Sequence, residues 1–225
     1  MKKWQVIALF FFINLISISG ADNDSTLPAE EAPLNIKADN VEYVFKRGQE
    51  IGLFTGNVYL EQKDFKLNGD KLTLYSSEGR VLGEGNIKIE TEDPEWKFIL
   101  TGGKGEFNKD KRHAMMTSTP HLVIIQKKDN KKIEVTGIQM DLYSDKGQVV
   151  ITDDVHIIYD QIEAWSKSAI FYQKEKKLIM TKNAKIVQMK NVFAAEEIIF
   201  FMDDNRIIMN NSVKGTVIPD KNIKK

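Results

Sequence analysis

The sequence contains no cysteine. Disulfides, thiolate metal sites and attachment of a lipid to a cysteine are therefore excluded. Histidine occurs three times, as His113, His121 and His156. None has a second ligand at the short spacing a metal site needs, so neither a metal nor a cofactor is expected. Charge of one sign is missing too: 32 basic side chains face 32 acidic ones. That balance argues against nucleic acid as the main partner. Proline is scarce, and Pro94, Pro120 and Pro219 fall near the ends of apolar runs, where strands tolerate it. Long hydrophobic runs are confined to the first residues.

Catalytic patterns are absent as well. There is no GxSxG elbow, no GxGxxG and no Walker pattern. GEG at 83–85 and TGGKG at 101–105 do not lead into a helix that could hold an anion, and read as strand-to-strand turns. The acid pairs Glu92-Asp93, Asp153-Asp154 and Asp203-Asp204 are dispersed, and also read as turns. No catalytic residue is expected.

The chain opens with MKKWQVIALFFFINLISISGA. Lys2 and Lys3 precede a mostly apolar stretch from Trp4 to Ile18, and Ser19-Gly20-Ala21 suits a cleavage site. Residues 1–21 read as a secretory signal peptide, with an uncleaved anchor as the alternative. Their removal deletes two lysines and no acid, leaving a net charge of about −2. Residues 22–33 read as a flexible leader and 219–225 as a disordered tail. Residues 34–218 read as one domain, which at 42% hydrophobic composition overall can build a core.

That domain is repetitive. An aromatic residue followed by a charged turn recurs about every thirty residues: Phe45 before KRGQE, Tyr75 before SSEGR, Phe107 before NKDKR, Tyr143 before SDKGQ, Tyr172 before QKEKK and Phe201 before MDDNR. Between the turns, apolar residues alternate with polar ones, the period of half-buried strands. Leu34, Ile36 and Ala38 alternate in this way, as do Val41, Tyr43 and Phe45. Helix signals are weak, and EEIIFFM at 196–202 reads as a strand because of its place in the repeat. The expectation is an all-β fold of about fifteen or more short antiparallel strands. The last strands carry apolar residues on both faces, which means either cover on both sides, a partner at that end, or denser local packing.

Three ordered motifs add a family resemblance. PLNIKAD (33–39) fits the pattern Pro, aliphatic, any residue, Ile, any residue, Ser or Ala, Asp. FTGNVYLEQ (54–62) and KLNGDKLTLY (66–75) follow. VVITDDVHIIY (149–159) and LIMTKNAKIVQ (178–188) look like degenerate copies of the FTGNV strand. The sequence resembles the OstA-like lipopolysaccharide-transport family, nearest to its periplasmic bridge branch. The resemblance implies a twisted open β-jellyroll whose inner faces form an apolar groove for the acyl chains of lipopolysaccharide (lipid A). It also implies a periplasmic location, an inner-membrane LptC-like partner, an outer-membrane LptD-like translocon, and head-to-tail self-association.

The inward set that would line the groove is Leu34, Ile36, Val58, Leu60, Phe65, Leu67, Leu72, Leu74, Ile87, Ile89, Phe98, Leu100, Leu122, Ile124, Met140, Leu142, Val155 and Ile157. The residues alone allow a closed core equally well. Leu34, Ile36 and Ala38 at one end, and Val213 and Val217 at the other, are the candidate docking edges. A membrane-anchored LptC-like member, a structural β-solenoid with a filled core, and a carbohydrate-active enzyme are the other readings.

Overall fold

Alternation of apolar and polar side chains becomes strand throughout this chain. The computed structural model describes residues 35–46, 49–62, 64–108, 111–143, 145–204 and 206–218. The expected signal peptide, leader and tail, together with Leu34, lie outside the described residues. The strands are β1 Asn35–Lys37, β2 Asn40–Lys46, β3 Gln49–Gln62, β4 Phe65–Tyr75, β5 Arg80–Glu92 and β6 Trp96–Asn108. There follow β7 His113–Thr117, β8 His121–Gln126, β9 Lys131–Thr136, β10 Gln139–Tyr143 and β11 Gln148–Tyr159. The last are β12 Ile162–Tyr172, β13 Lys177–Gln188, β14 Asn191–Phe201, β15 Arg206–Asn210 and β16 Lys214–Thr216. Glu196 to Phe201 is strand, as the repeat requires. One 3₁₀ turn at Ser76–Glu78 is the sole helical element among the described residues. No helix there is long and apolar enough to cross a membrane.

The strands form a single 16-stranded antiparallel sheet that folds on itself into two leaves. The first leaf runs β2-β3-β4-β5-β6-β7-β10-β11-β12-β13-β14-β15. The second runs β1-β3-β4-β5-β6-β8-β9-β11-β12-β13-β14-β16, because each long strand turns a corner and contributes to both.

The corner is built from residue pairs in the left-handed backbone region: Gly56-Asn57, Gly85-Asn86, Ser118-Thr119, Asp153-Asp154, Lys182-Asn183 and Asn211-Ser212. Each pair falls about ten residues after the aromatic of its repeat. Where the pair lies inside a strand, that strand carries one more residue than its neighbours: Thr55 to Val58 on β3 spans Lys71 to Gly69 on β4. An extra residue in one strand bends it and raises its twist. GEG and TGGKG are therefore not turns between strands. They lie within β5 and β6 at the corner, where register shifts between Glu84 and Ile87. Asp153-Asp154 is likewise a mid-strand bulge in β11.

The family-like motifs are the stitching of this corner. Asn57 Nδ2 donates to Asp39 Oδ2 at 2.9 Å, and the Asp39 N–H donates to the Gly56 carbonyl at 2.9 Å. Asn86 Nδ2 donates to Asp70 Oδ2 at 2.8 Å in the next repeat. The charged turns have their own rule. A cation folds back over the preceding aromatic: Arg80 over Tyr75 at 4.5 Å, Lys146 over Tyr143 at 4.9 Å, Lys177 over Tyr172 at 4.8 Å and Arg206 over Phe201 at 4.4 Å.

Between the leaves lies one apolar cluster that runs the length of the stack, from Phe54 and Leu60 to Ile198 and Phe200. Outside, charges pair along and across the strands. Glu90 accepts from Lys88 at 2.5 Å and Lys97 at 2.9 Å, which holds its carboxyl down at about 2 against burial that opposes the shift.

Two outcomes follow from this geometry. In Gly85→Ala the new Cβ would sit 2.3 Å from Asp70 Oδ2 at φ +72°. The substitution destabilises the fold by about 1–3 kcal/mol. Adding Asp70→Ala recovers only part, since the left-handed strain stays. Urea unfolding followed by tryptophan fluorescence measures both. For Glu90, a folded-state pKa below the unfolded one means stability present above the ordinary carboxylate range and lost as pH falls through about 2. Glu90→Gln therefore lowers stability at pH 7 by about 1 kcal/mol, discounted for solvent screening. Urea midpoints of the variant and parent converge as pH falls from 5 towards 2.

Candidate functional site

The interior face carries an apolar cluster that runs the length of the stack, the dimension a long apolar ligand would need. Of the expected inward set, Val58, Leu60, Leu67, Leu72, Leu74, Ile87, Ile89, Leu100, Leu122, Ile124, Met140, Val155 and Ile157 are buried in the central cluster. Ile36, Phe65, Phe98 and Leu142 are half-buried against it. The leaves touch directly, as where Phe98 of the second leaf meets Phe171 of the first at 6.2 Å between ring centroids. Leu67, Ile87, Met116 and Met140 are 0% exposed, so the middle of the stack is closed.

The ends differ. On β2, Val41, Tyr43 and Phe45 pair with Phe54, Gly52 and Glu50 of β3 and so share the interior side of the leaf. They are 50%, 44% and 70% exposed. Tyr43 stacks on Phe45 and meets the edge of Phe54. The inward set omitted these three, although their alternation is visible in the sequence. At the other end Ile207 and Met209 of β15 pair with the inward Phe200 and Ile198 and are half-buried.

The edges carry unpaired backbone among the described residues. β1, with Ile36, bonds only to β3, and β16 bonds only to β14. Ala38 is half-buried against the core, while Val213 and Val217 beside β16 are exposed. The sequence reading missed the longer edges, β2 and β15, which each have one neighbour in the first leaf.

The apolar outer residues of the last strands form a ladder. Val150, Ile170, Ile179, Ile199 and Ile208 stand opposite one another on consecutive strands. They are half-exposed, with no second layer over them among the described residues.

Polar chemistry does not converge. His113 Nε2 lies 2.8 Å from Asp141 Oδ1, and Gln139 donates to Asp141 Oδ2 at 2.6 Å. His121 Nε2 lies 3.0 Å from Glu134 Oε2, and His156 stacks on Trp165. These are cross-strand pairs on outer faces. No group of three or more His, Asp or Glu among the described residues could hold a metal.

One cluster bridges the leaf tips opposite the corners. Glu95 and Trp96 sit at the β5–β6 turn of the second leaf, and Lys176 at the β12–β13 turn of the first. Lys176 Nζ donates to Glu95 Oε2, lies 5.4 Å from the Trp96 ring centroid and 3.9 Å from Asp203 Oδ1. Asp93 Oδ1 accepts from the Glu95 and Trp96 N–H groups at 2.8 and 2.7 Å, fixing that turn. The hydrogen bond to Lys176 holds the Glu95 carboxyl below its usual range, and the bond to Glu95 raises Lys176. The buried Trp96 indole N–H makes no hydrogen bond of good geometry, though it lies near enough to favour the Glu95 charge. Beside this cluster, Ile133, Ile157 and Tyr159 of one leaf and Leu178, Phe200, Phe201, Met202 and Ile207 of the other line, together with Arg206, a mostly apolar recess with about 10 Å³ of free volume.

Residues 35–206 match the family described as LptA/(LptD N-terminal domain) LPS transport protein. Among solved structures, the chain is similar to the crystal structure of LptH, the LptA homologous periplasmic component of the conserved lipopolysaccharide transport device from Pseudomonas aeruginosa. Identity is 15%, over 84% of this chain and 96% of that one, with a TM-score of 0.25. No curated protein matches.

Proposed function

The chain belongs to the LptA/(LptD N-terminal domain) family of LPS transport proteins, and on that premise we propose that it is a periplasmic carrier that shields lipid A acyl chains between the two membranes. The observation that carries this reading is the apolar interior, continuous between the leaves and ending in exposed apolar side chains at the β2 end. Lipopolysaccharide needs such cover because each CH₂ left in water costs about 0.8 kcal/mol. Methionines and phenylalanines between the leaves, such as Met116, Met140, Phe98 and Phe171, can repack around a mobile chain. The sugars would stay in water outside the leaf tips. The role needs no catalysis, and the energy for movement would come from another component.

Docking would use strand addition, which satisfies unpaired edge backbone and places alternate side chains on a partner. The β1 and β2 edges, with Ile36, Val41, Tyr43 and Phe45, would face the inner-membrane LptC-like partner. The β15 and β16 edges, with Val213 and Val217, would face the outer-membrane LptD-like translocon, or the first edge of a second copy. Secretion by a cleaved signal peptide is part of the same proposal.

A structural stack with a filled core is the second reading, and the full burial of Leu67 and Ile87 favours it. A photo-crosslinking amino acid separates the two. At Phe65 or Ile36 it captures lipopolysaccharide from cells, whereas at the outward Lys66 or Lys37 it does not. Capture confined to Lys66 and Lys37, or absent from all four, sinks the groove.

A further inference from the structure

We propose that the seam between the leaf tips is a side entrance for an acyl chain, and that Glu95 and Lys176 latch it shut. The inference deepens the carrier reading and rests on it. Three features carry it. Among the described residues the corners join the leaves along one side only, so parting them there would mean undoing the bulges of every repeat. On the opposite side, the Glu95–Lys176 contact joins residues far apart in sequence through side chains rather than through the sheet. And the apolar recess lies along the same seam, tied to the latch by backbone: the N–H of Met202, which lines the recess, donates to the Lys176 carbonyl at 3.0 Å.

The latch has the properties of something that opens. The Glu95 side chain is 68% exposed, so water and salt compete for its charge. Its geometry is nonetheless specific, since the Asp93 turn presents Glu95 and the Trp96 ring supplies a second contact for the same ammonium. A weak, preorganised contact over an apolar seam suits a gate that stays closed in water and yields to a chain that can insert behind it. The occupant is an acyl chain because the recess is lined almost wholly by aliphatic and aromatic side chains.

The native chain has no cysteine, so a bridge can be placed without side products. In Glu95→Cys/Lys176→Cys, a short bis-maleimide locks the seam, while N-ethylmaleimide caps both thiols and leaves it unlatched. The probe is fluorescently labelled micellar lipopolysaccharide. The bridged protein should take it up at least about tenfold more slowly than the parent, and the capped protein faster. Glu95→Lys gives an independent arm should bridging perturb the β-sheet circular dichroism. Repulsion with Lys176 speeds uptake at low salt, and the gain shrinks at about 0.5 M salt. Parent-like rates for the bridged protein, or for Glu95→Lys at low salt, overturn the gate and leave the carrier reading standing. If the parent itself takes up no lipopolysaccharide, the carrier reading fails and the gate fails with it.

Discussion

Two consecutive left-handed residues, once per repeat, are the constraint on which this structure depends. Without the extra residue at each corner, long antiparallel strands would lie in one open, twisted sheet. That sheet would have two faces in water and no interior. The bulge turns each strand back so that its two halves face each other, and the halves of neighbouring repeats line up into leaves. The side chains that hold the bend are small and local. Asp39 with Asn57, and Asp70 with Asn86, link a strand to the bulge of its neighbour. Only a glycine leaves room at positions 56 and 85 for the aspartate that closes the corner.

The corner also sets which residues face inward. On the odd long strands the added residue keeps the alternation in phase, so Phe54 and Val58 of β3 both point between the leaves. On the even strands the phase slips, so Leu67 is followed inside by Leu72. The family-like motifs therefore report architecture directly. They mark the stitching, and the apolar interior is its consequence. A motif of this kind identifies the fold while naming none of the residues that would touch a ligand.

Much of this was legible in the sequence, for a physical reason. Turns at the leaf tips need charge, glycine and an aromatic for the cation to cover, and each of those leaves a mark, as SSEGR after Tyr75 does. Alternation likewise told inward from outward at nearly every strand. The corners were harder. Gly-Asn announces a left-handed pair, but Asp153-Asp154 and Lys182-Asn183 look like ordinary turn or surface residues, and GEG looked like a turn. Their shared origin appears only when Thr-Gly-Asn-Val, Thr-Asp-Asp-Val and Thr-Lys-Asn-Ala are set side by side. The cross-leaf contacts were illegible altogether. Alternation says that Phe98 faces in, yet nothing local says that Phe171 faces it, because that pairing depends on the twist accumulated over the intervening strands.

The distribution of closure follows from the same construction. Repeats in the middle have neighbours on both sides, and most of their inward residues are sealed. Among the described residues, terminal repeats have one neighbour, so Val41, Tyr43 and Phe45 keep together an apolar face and an edge without a partner strand. An exposed edge beside exposed apolar residues is an aggregation hazard unless a partner covers it. A partner strand there would satisfy the backbone and extend the interior in one step, since inward and outward sides continue across the added pair. The long seam at the leaf tips is closed by different means. Among the described residues it is joined by side chains, and the Glu95–Lys176 pair that meets across it is half in water. Hydrogen-bonded corners on one side and a side-chain seam on the other make the leaves a hinge with a fixed axis. Separation along that axis exposes the apolar face while keeping every strand pair intact. Any guest that supplies its own apolar surface offsets the cost of that exposure, which water alone cannot do.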